Sequence, residues 1–204
     1  IAERGCFDLL FLGDGLAVKE NDHPSFTVRF EPLTMLGALA ATTTHLGLGA
    51  TASTTYNEPF NVARQFASLD HLSGGRAAWN AVTSSGGLAA LNFGREHPPH
   101  AERYRVAEEF VDVVRGLWDC WEPGAVVANR ETGQYLDFSK VHSLDHDGPY
   151  FRVKGPINAP RSPQGRPIIL QAGSSEPGLD LAARSADVVV SVVQDLDEAR
   201  IGYA

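Results

Sequence analysis

Arg76-Ala77-Ala78-Trp79-Asn80-Ala81-Val82-Thr83-Ser84-Ser85 decides the fold, because an apolar run that reads as a buried strand ends in a cluster of amide and hydroxyl groups. Just before it, Ser68-Leu69-Asp70-His71-Leu72-Ser73-Gly74-Gly75 reads as the end of a helix closed by glycines that can turn the chain. A helix, a tight turn and a buried strand with a polar end form the repeating step of an α/β barrel. In such a barrel ligand groups sit at the C-terminal strand ends, while the opposite rim serves the scaffold.

Working outward, strand-like runs at 7–13, 46–53, 76–83, 167–172 and 187–193 alternate with helical patterns, which predicts a parallel βα architecture. Residues 32–44 place Leu33, Leu36, Leu39 and Ala40 on one face. Residues 101–121 repeat Tyr104, Ala107, Phe110, Val111, Val114, Trp118 and Trp121 at helical spacing. The rhythm breaks at 122–165, which is too long for a simple connection and is rich in Pro and Gly; it reads as an insertion within one partial barrel domain spanning 1–204. Inside it, 140–143 and 149–153 flank Asp147-Gly148, a hairpin signal. At the ends, Ile1-Ala2-Glu3-Arg4-Gly5 reads as a last helical turn capped by Gly5, and Asp195-Leu196-Asp197-Glu198-Ala199-Arg200 as the start of a helix.

The 204 residues are 43% hydrophobic, enough for a sizeable core, and no run is long and apolar enough to span a bilayer, so no membrane partner is expected. A net charge of −8 without a basic run argues against nucleic acid. Cys6 and Cys120 stand far apart, which suits a reducing, cytoplasmic setting better than a disulfide framework. The histidines show no HExxH spacing, and His97, His100, His142 and His146 fall in loops, so no metal is expected.

The strand ends offer Asp14, then Ser53 and Thr54, then Asn80, Thr83 and Ser84, then Ser174 and Ser175, all on one rim. Neutral donors and acceptors with one carboxylate suit a large polar cofactor better than glycoside hydrolysis, which uses a facing pair of acids. Gln171-Ala172-Gly173-Ser174-Ser175-Glu176-Pro177-Gly178 leaves a strand and opens a helix, where free N–H groups and the helix dipole make a seat for phosphate. Ser174 or Ser175 equally suits a plain N-cap, and the residues alone leave both readings open. Asp14 either meets a heterocycle or forms a turn. Tyr104 is either a core tyrosine or a phosphate contact.

A longer set of ordered segments carries a family resemblance. Phe11-Leu12-Gly13-Asp14-Gly15-Leu16-Ala17-Val18, Glu31-Pro32-Leu33-Thr34, residues 51–59 and 63–76, Trp79-Asn80-Ala81-Val82-Thr83-Ser84, Asn92-Phe93-Gly94, Glu102-Arg103-Tyr104 and residues 163–178 together cover nearly the whole chain. In these the chain resembles the flavin-dependent monooxygenases of the bacterial luciferase-like superfamily, in the group of the nitrilotriacetate, pristinamycin synthase, dibenzothiophene sulfone and long-chain alkane enzymes.

The resemblance implies a (β/α)8 TIM barrel of luciferase-like type, of which this chain holds about five strands, and FMN bound at the C-terminal rim. Reduced FMN would come from a separate NAD(P)H-dependent flavin reductase. O2 and a small organic substrate would then react through a flavin C4a-(hydro)peroxide. By the same resemblance Asp14, Ser53 or Thr54, Asn80 and Val82 lie near the ring, while Ser84, Tyr104, Gly173, Ser174 and Ser175 approach the ribityl chain and phosphate. No catalytic base is assigned. Substrate contacts are expected from 19–30 and 122–165. Family members are about twice as long, so the first strand, the last two strands and the closing helices are expected to be missing here, leaving exposed sheet edges and a tendency to form homo-oligomers. A deazaflavin-dependent oxidoreductase and a truncated, noncatalytic binding protein are the rival readings.

Overall fold

The computed structural model describes residues 1–18, 28–191 and 195–203. After a 3-10 turn at Glu3–Gly5 come β1 (Leu9–Leu12), α1 (Pro32–Ala40), β2 (Gly47–Ser53), α2 (Pro59–Ser73), β3 (Ala77–Val82), α3 (Leu88–Asn92) and α4 (His100–Asp119). There follow β4 (His146–Asp147), β5 (Arg152–Val153), β6 (Ile168–Gln171), α5 (Glu176–Ser185), β7 (Val188–Val189) and α6 (Leu196–Tyr203).

Five strands form one parallel sheet in the order β1-β2-β3-β6-β7. The order is linear, so among the described residues the sheet is an open arc, as the sequence predicts. Its concave side is partly bare: Phe11 on β1 is 37% exposed.

The two residue sets of β3 explain the layering. Ala77, Trp79 and Ala81 face the helices, and Ala78, Asn80 and Val82 face the inside of the arc, because side chains alternate along a strand. Trp79 is fully buried, with its ring centroid 6.0 Å from Phe66 of α2, 5.9 Å from Phe110 and 6.3 Å from Trp118 of α4. Its indole N–H donates to Ala52 O at 3.1 Å, so the bulkiest core side chain is also hydrogen-bonded. On β2, a Cβ at Gly47 would come within 2.9 Å of Leu9 Cδ1, which accounts for a glycine in that strand.

The rim at the N-terminal strand ends is stitched by polar side chains. Arg76 donates to Ala40 O, Thr43 O, Thr43 Oγ1, Leu46 O and Ser73 O, joining α1, α2 and β2. Asp70, fully buried, accepts from Ala77 N at 3.0 Å and Gln164 Nε2 at 2.6 Å. The turn between α2 and β3 carries Gly74 at φ 68° and Gly75 at φ 89°, where a side chain would be strained.

Several boundaries differ from the sequence reading. Helix α1 stops at Ala40 rather than Thr44, because the hydroxyls of Thr42 and Thr43 turn back to Leu39 O at 3.2 and 2.7 Å and end the helix. The first turn is capped by Cys6 at φ 57°, not Gly5; the Glu3 carboxylate reaches across to the N–H groups of Thr44, His45 and Leu46 and fixes that turn. The hairpin pairs His146–Asp147 with Arg152–Val153, and residue 141 instead bridges Trp121. Glu109 of α4 explains the shift: its carboxylate accepts from Tyr150 N and Phe151 N, pinning a turn closed by Gly148 N to Phe151 O at 2.9 Å. Of the loop at 19–30, residues 19–27 lie outside the described set, as do 192–193 of the last expected strand.

Candidate functional site

A cleft of about 390 Å³ opens at the C-terminal ends of four adjacent strands. Phe11, Gly13, Asp14 and Gly15 come from β1 and the turn after it, Thr51 from β2, and Asn80, Val82, Thr83, Ser84 and Ser85 from β3 and its extension. Gln171, Ala172 and Gly173 close the far side, Tyr104 reaches in from the first turns of α4, and Leu16, Ala17, Leu88 and Ala89 form an apolar wall. The size suits a cofactor-sized ligand.

On the floor, Asn80 is 2% exposed and its Nδ2 donates to Thr51 Oγ1 at 3.0 Å. Its Oδ1 is buried and has no hydrogen-bond partner. A buried amide oxygen left unpaired costs about 1–3 kcal/mol, which a ligand N–H at this site would recover.

On the phosphate side predicted from sequence, the chain packs tightly. Ser175 caps α5, accepting from Gly178 N at 3.3 Å, and donates to Tyr104 Oη at 3.3 Å. A Cβ on Gly173 would meet both Gly178 Cα and Tyr104 Oη at 3.1 Å, so glycine is needed for the loop to lie against the helix start. Gln171 Oε1 holds Gly173 N at 2.8 Å. This cradle leaves a helix N-terminus and a phenol beside the cleft, groups that suit an anion.

Asp14 is the one carboxylate in the lining. Burial raises its pKa, Glu31 adds to the rise, and a hydrogen bond from Gly15 N (2.7 Å) with the Arg29 charge opposes it; the net shift is upward. Beside the cleft, Tyr56 Oη meets His97 Nδ1 at 2.7 Å and stacks on Phe93 at 4.9 Å. Burial, and then the Arg103 charge, hold the His97 imidazole below its ordinary pKa.

Of the residues singled out in the sequence, Asp14, Asn80, Val82, Ser84, Tyr104 and Gly173 meet in this cleft. Ser53 stands one bond behind it, its Oγ accepting from Ser84 Oγ at 2.8 Å. Thr54 is 2% exposed and turned into the scaffold, with both N and Oγ1 donating to Val82 O. Ser174 is exposed, and neither it nor Ser175 is part of the lining. Sequence reasoning missed Thr51 and Gln171, although Thr51 lies two residues before Ser53 on the same strand face and Gln171 is the last residue of β6. His142 pairs with Glu122 and His146 with Glu109, and no group of three potential metal ligands occurs among the described residues. None of the described helices is long and apolar enough to cross a membrane.

A parallel arc with its polar cleft at the C-terminal strand ends defines a protein of the (β/α)8-barrel class. The chain belongs to the luciferase-like monooxygenase family, whose model it matches over residues 1–204. It is 55% identical to N-acetyl-S-(2-succino)cysteine monooxygenase of Bacillus subtilis (strain 168) over 203 residues, 99% of this chain and 46% of that protein. With nitrilotriacetate monooxygenase component A of Aminobacter aminovorans it shares 47% identity over 216 residues, 100% of this chain and 48% of that protein. The crystal structure of a riboflavin lyase with modified FMN and riboflavin superposes with a TM-score of 0.89 at 38% identity, covering 97% of this chain and 46% of that one. The chain thus spans about half the length of the curated relatives it matches.

Proposed function

We propose that this chain binds reduced FMN in the cleft and serves a monooxygenase that uses O2 to oxidise a small organic molecule, with reduced FMN delivered by a separate NAD(P)H-dependent reductase. The observation that carries the reading is the Asn80 carbonyl oxygen, buried without a partner on the floor of a cleft whose far side, at Gly173, lies against the N-terminus of α5. A flat heterocycle with N–H edges joined to an anionic tail fits that arrangement. Support for the flavin comes from the relative solved with modified FMN, and for a partner component from the relative named component A.

In this reading Asn80 and Val82 hold the ring, with Asp14 at its edge. Ser84, Tyr104 and Gly173 take the ribityl chain and phosphate, with Ser53 fixing Ser84 and with Ser174 and Ser175 at the start of α5. Thr51 keeps the Asn80 amide turned so that its oxygen, not its nitrogen, faces the ligand. Asp14, its pKa raised by burial, stands at the edge of the ring as the one carboxylate of the lining. The apolar wall of Leu16, Ala17, Leu88 and Ala89 keeps water from the reacting face. When bound, reduced FMN supplies the two electrons that put one oxygen atom into the substrate and the other into water.

Isotope incorporation tests the activity. The full protein, supplied with FMN, a flavin reductase, NADH and 18O2, is expected to transfer one labelled atom to a small thioether, amine or related organic substrate. Labelled product in a control lacking FMN, or uptake supported by a deazaflavin and not by FMN, would contradict the reading.

A further inference from the structure

Within the Glu102-Arg103-Tyr104 motif, Tyr104 lines the cleft while Arg103, 7% exposed, makes no ion pair among the described residues. A buried, permanently charged guanidinium without a counter-ion is uncommon, since such groups are normally paired. Its neighbour Arg105, by contrast, pairs with Glu102 at the surface.

The partners of Arg103 are all neutral, and most belong to one turn. Nη1 donates to Thr83 O at 3.1 Å, Thr83 Oγ1 at 3.3 Å and Ser84 O at 2.5 Å, and Nε donates to Pro98 O at 3.2 Å. That turn is the continuation of β3 into the cleft. Ser84 sits there at φ 55°, a left-handed conformation that a serine holds only under outside constraint. Held so, its hydroxyl bonds Ser53 Oγ and the residue lines the cleft.

We propose that Arg103 is a positioning residue for the cofactor: its guanidinium, anchored through Nε on Pro98 O, presents Nη1 to the Thr83–Ser84 turn and holds it in shape, and its unanswered positive charge behind that turn favours an anionic ligand. The inference rests on the FMN reading above. A lysine could keep the charge but not the fork, because the guanidinium reaches Pro98 O through Nε and the Thr83–Ser84 turn through Nη1, and a single ammonium cannot hold both sites in that planar arrangement. The two functions therefore separate by substitution.

The test compares Arg103→Lys and Arg103→Gln with the unaltered full protein, titrating each with FMN and with riboflavin, which lacks the phosphate, at temperatures where melting curves show every variant folded. Arg103→Gln is expected to raise the Kd for FMN by about tenfold or more and that for riboflavin by less, so that the preference for FMN falls. Arg103→Lys is expected to weaken both flavins severalfold and leave the preference in place. A residue that merely braces α4 would lower the melting temperature and move neither Kd in the folded protein. Unchanged Kd values in both variants, or an unchanged FMN preference in Arg103→Gln, overturn the proposal while the FMN reading stands. Should Arg103→Gln fail to fold, unchanged Kd values in Arg103→Lys overturn it equally. If the unaltered protein itself shows no saturable FMN binding, the cofactor reading fails first and this inference with it.

Discussion

Asn80 and Thr51 are register partners on adjacent parallel strands, and the 3.0 Å bond from Asn80 Nδ2 to Thr51 Oγ1 spends the donor of the amide inside the protein while its acceptor stays unpaired. The pair gives the cleft floor a fixed polarity. Thr51→Val keeps the shape of Thr51 but removes the acceptor, stranding a buried N–H. We expect a loss of about 1–3 kcal/mol in unfolding free energy, read by urea denaturation. A variant as stable as the parent would mean that Asn80 is free to turn.

Ser175 and Ser174 are adjacent in sequence but not equivalent in structure. Ser175→Ala removes an N-cap and the bond to Tyr104 Oη, so it should lower stability by about 1 kcal/mol and also weaken FMN binding. Ser174→Ala, at an exposed position with no cap role, should leave stability within about 0.5 kcal/mol. If Ser174→Ala also leaves FMN affinity unchanged in a fluorescence titration, the hydroxyl contribution to phosphate binding rests on Ser175 alone.

Glu109 fastens the hairpin to α4. Burial raises its pKa, but the hydrogen bonds from His146, Phe151 N and Tyr150 N lower it more, and the net value lies below the ordinary 4.5. A group depressed on folding contributes stability that is fully present above its unfolded pKa and is lost as pH falls through the folded value. The protection factors of the Tyr150 and Phe151 amides, exchange rates taken relative to the intrinsic rate at each pH, should therefore stay high at pH 6 and fall as pH drops below about 4.5, ahead of those of the β3 amides. Glu109→Gln should remove that acid dependence. Amides that open together with β3 at every pH would show that the carboxylate is not the fastening.

The parallel alternation was legible because β2 and β3 are buried on both faces and read as continuous apolar runs, and because Gly74 and Gly75 mark a turn that needs positive φ. Local competition was not legible. Thr42 and Thr43 carry helical periodicity, yet their hydroxyls end α1 by bonding Leu39 O. The hairpin register answers to Glu109, some forty residues away in the chain, which no local turn signal encodes. Site residues at the strand ends were found by position and resemblance. Thr51 escaped because a threonine within an apolar strand reads as filler until its partner across the sheet is known. Arg103 escaped because an arginine on a helix is ordinarily a surface residue, and only the carbonyls of Thr83 and Ser84 explain its burial.

An anaerobic equilibrium titration of the full protein and its Asn80→Ala variant with reduced FMN tests most directly whether the cleft binds the cofactor through the unpaired Asn80 oxygen. Saturable binding of one FMN per chain is expected, weakened about tenfold in Asn80→Ala by the loss of one buried hydrogen bond worth about 1.4 kcal/mol, with the melting temperature of the variant showing that it remains folded. Equal affinity for the parent and a folded Asn80→Ala, or no saturable binding by either, would contradict this mode of binding.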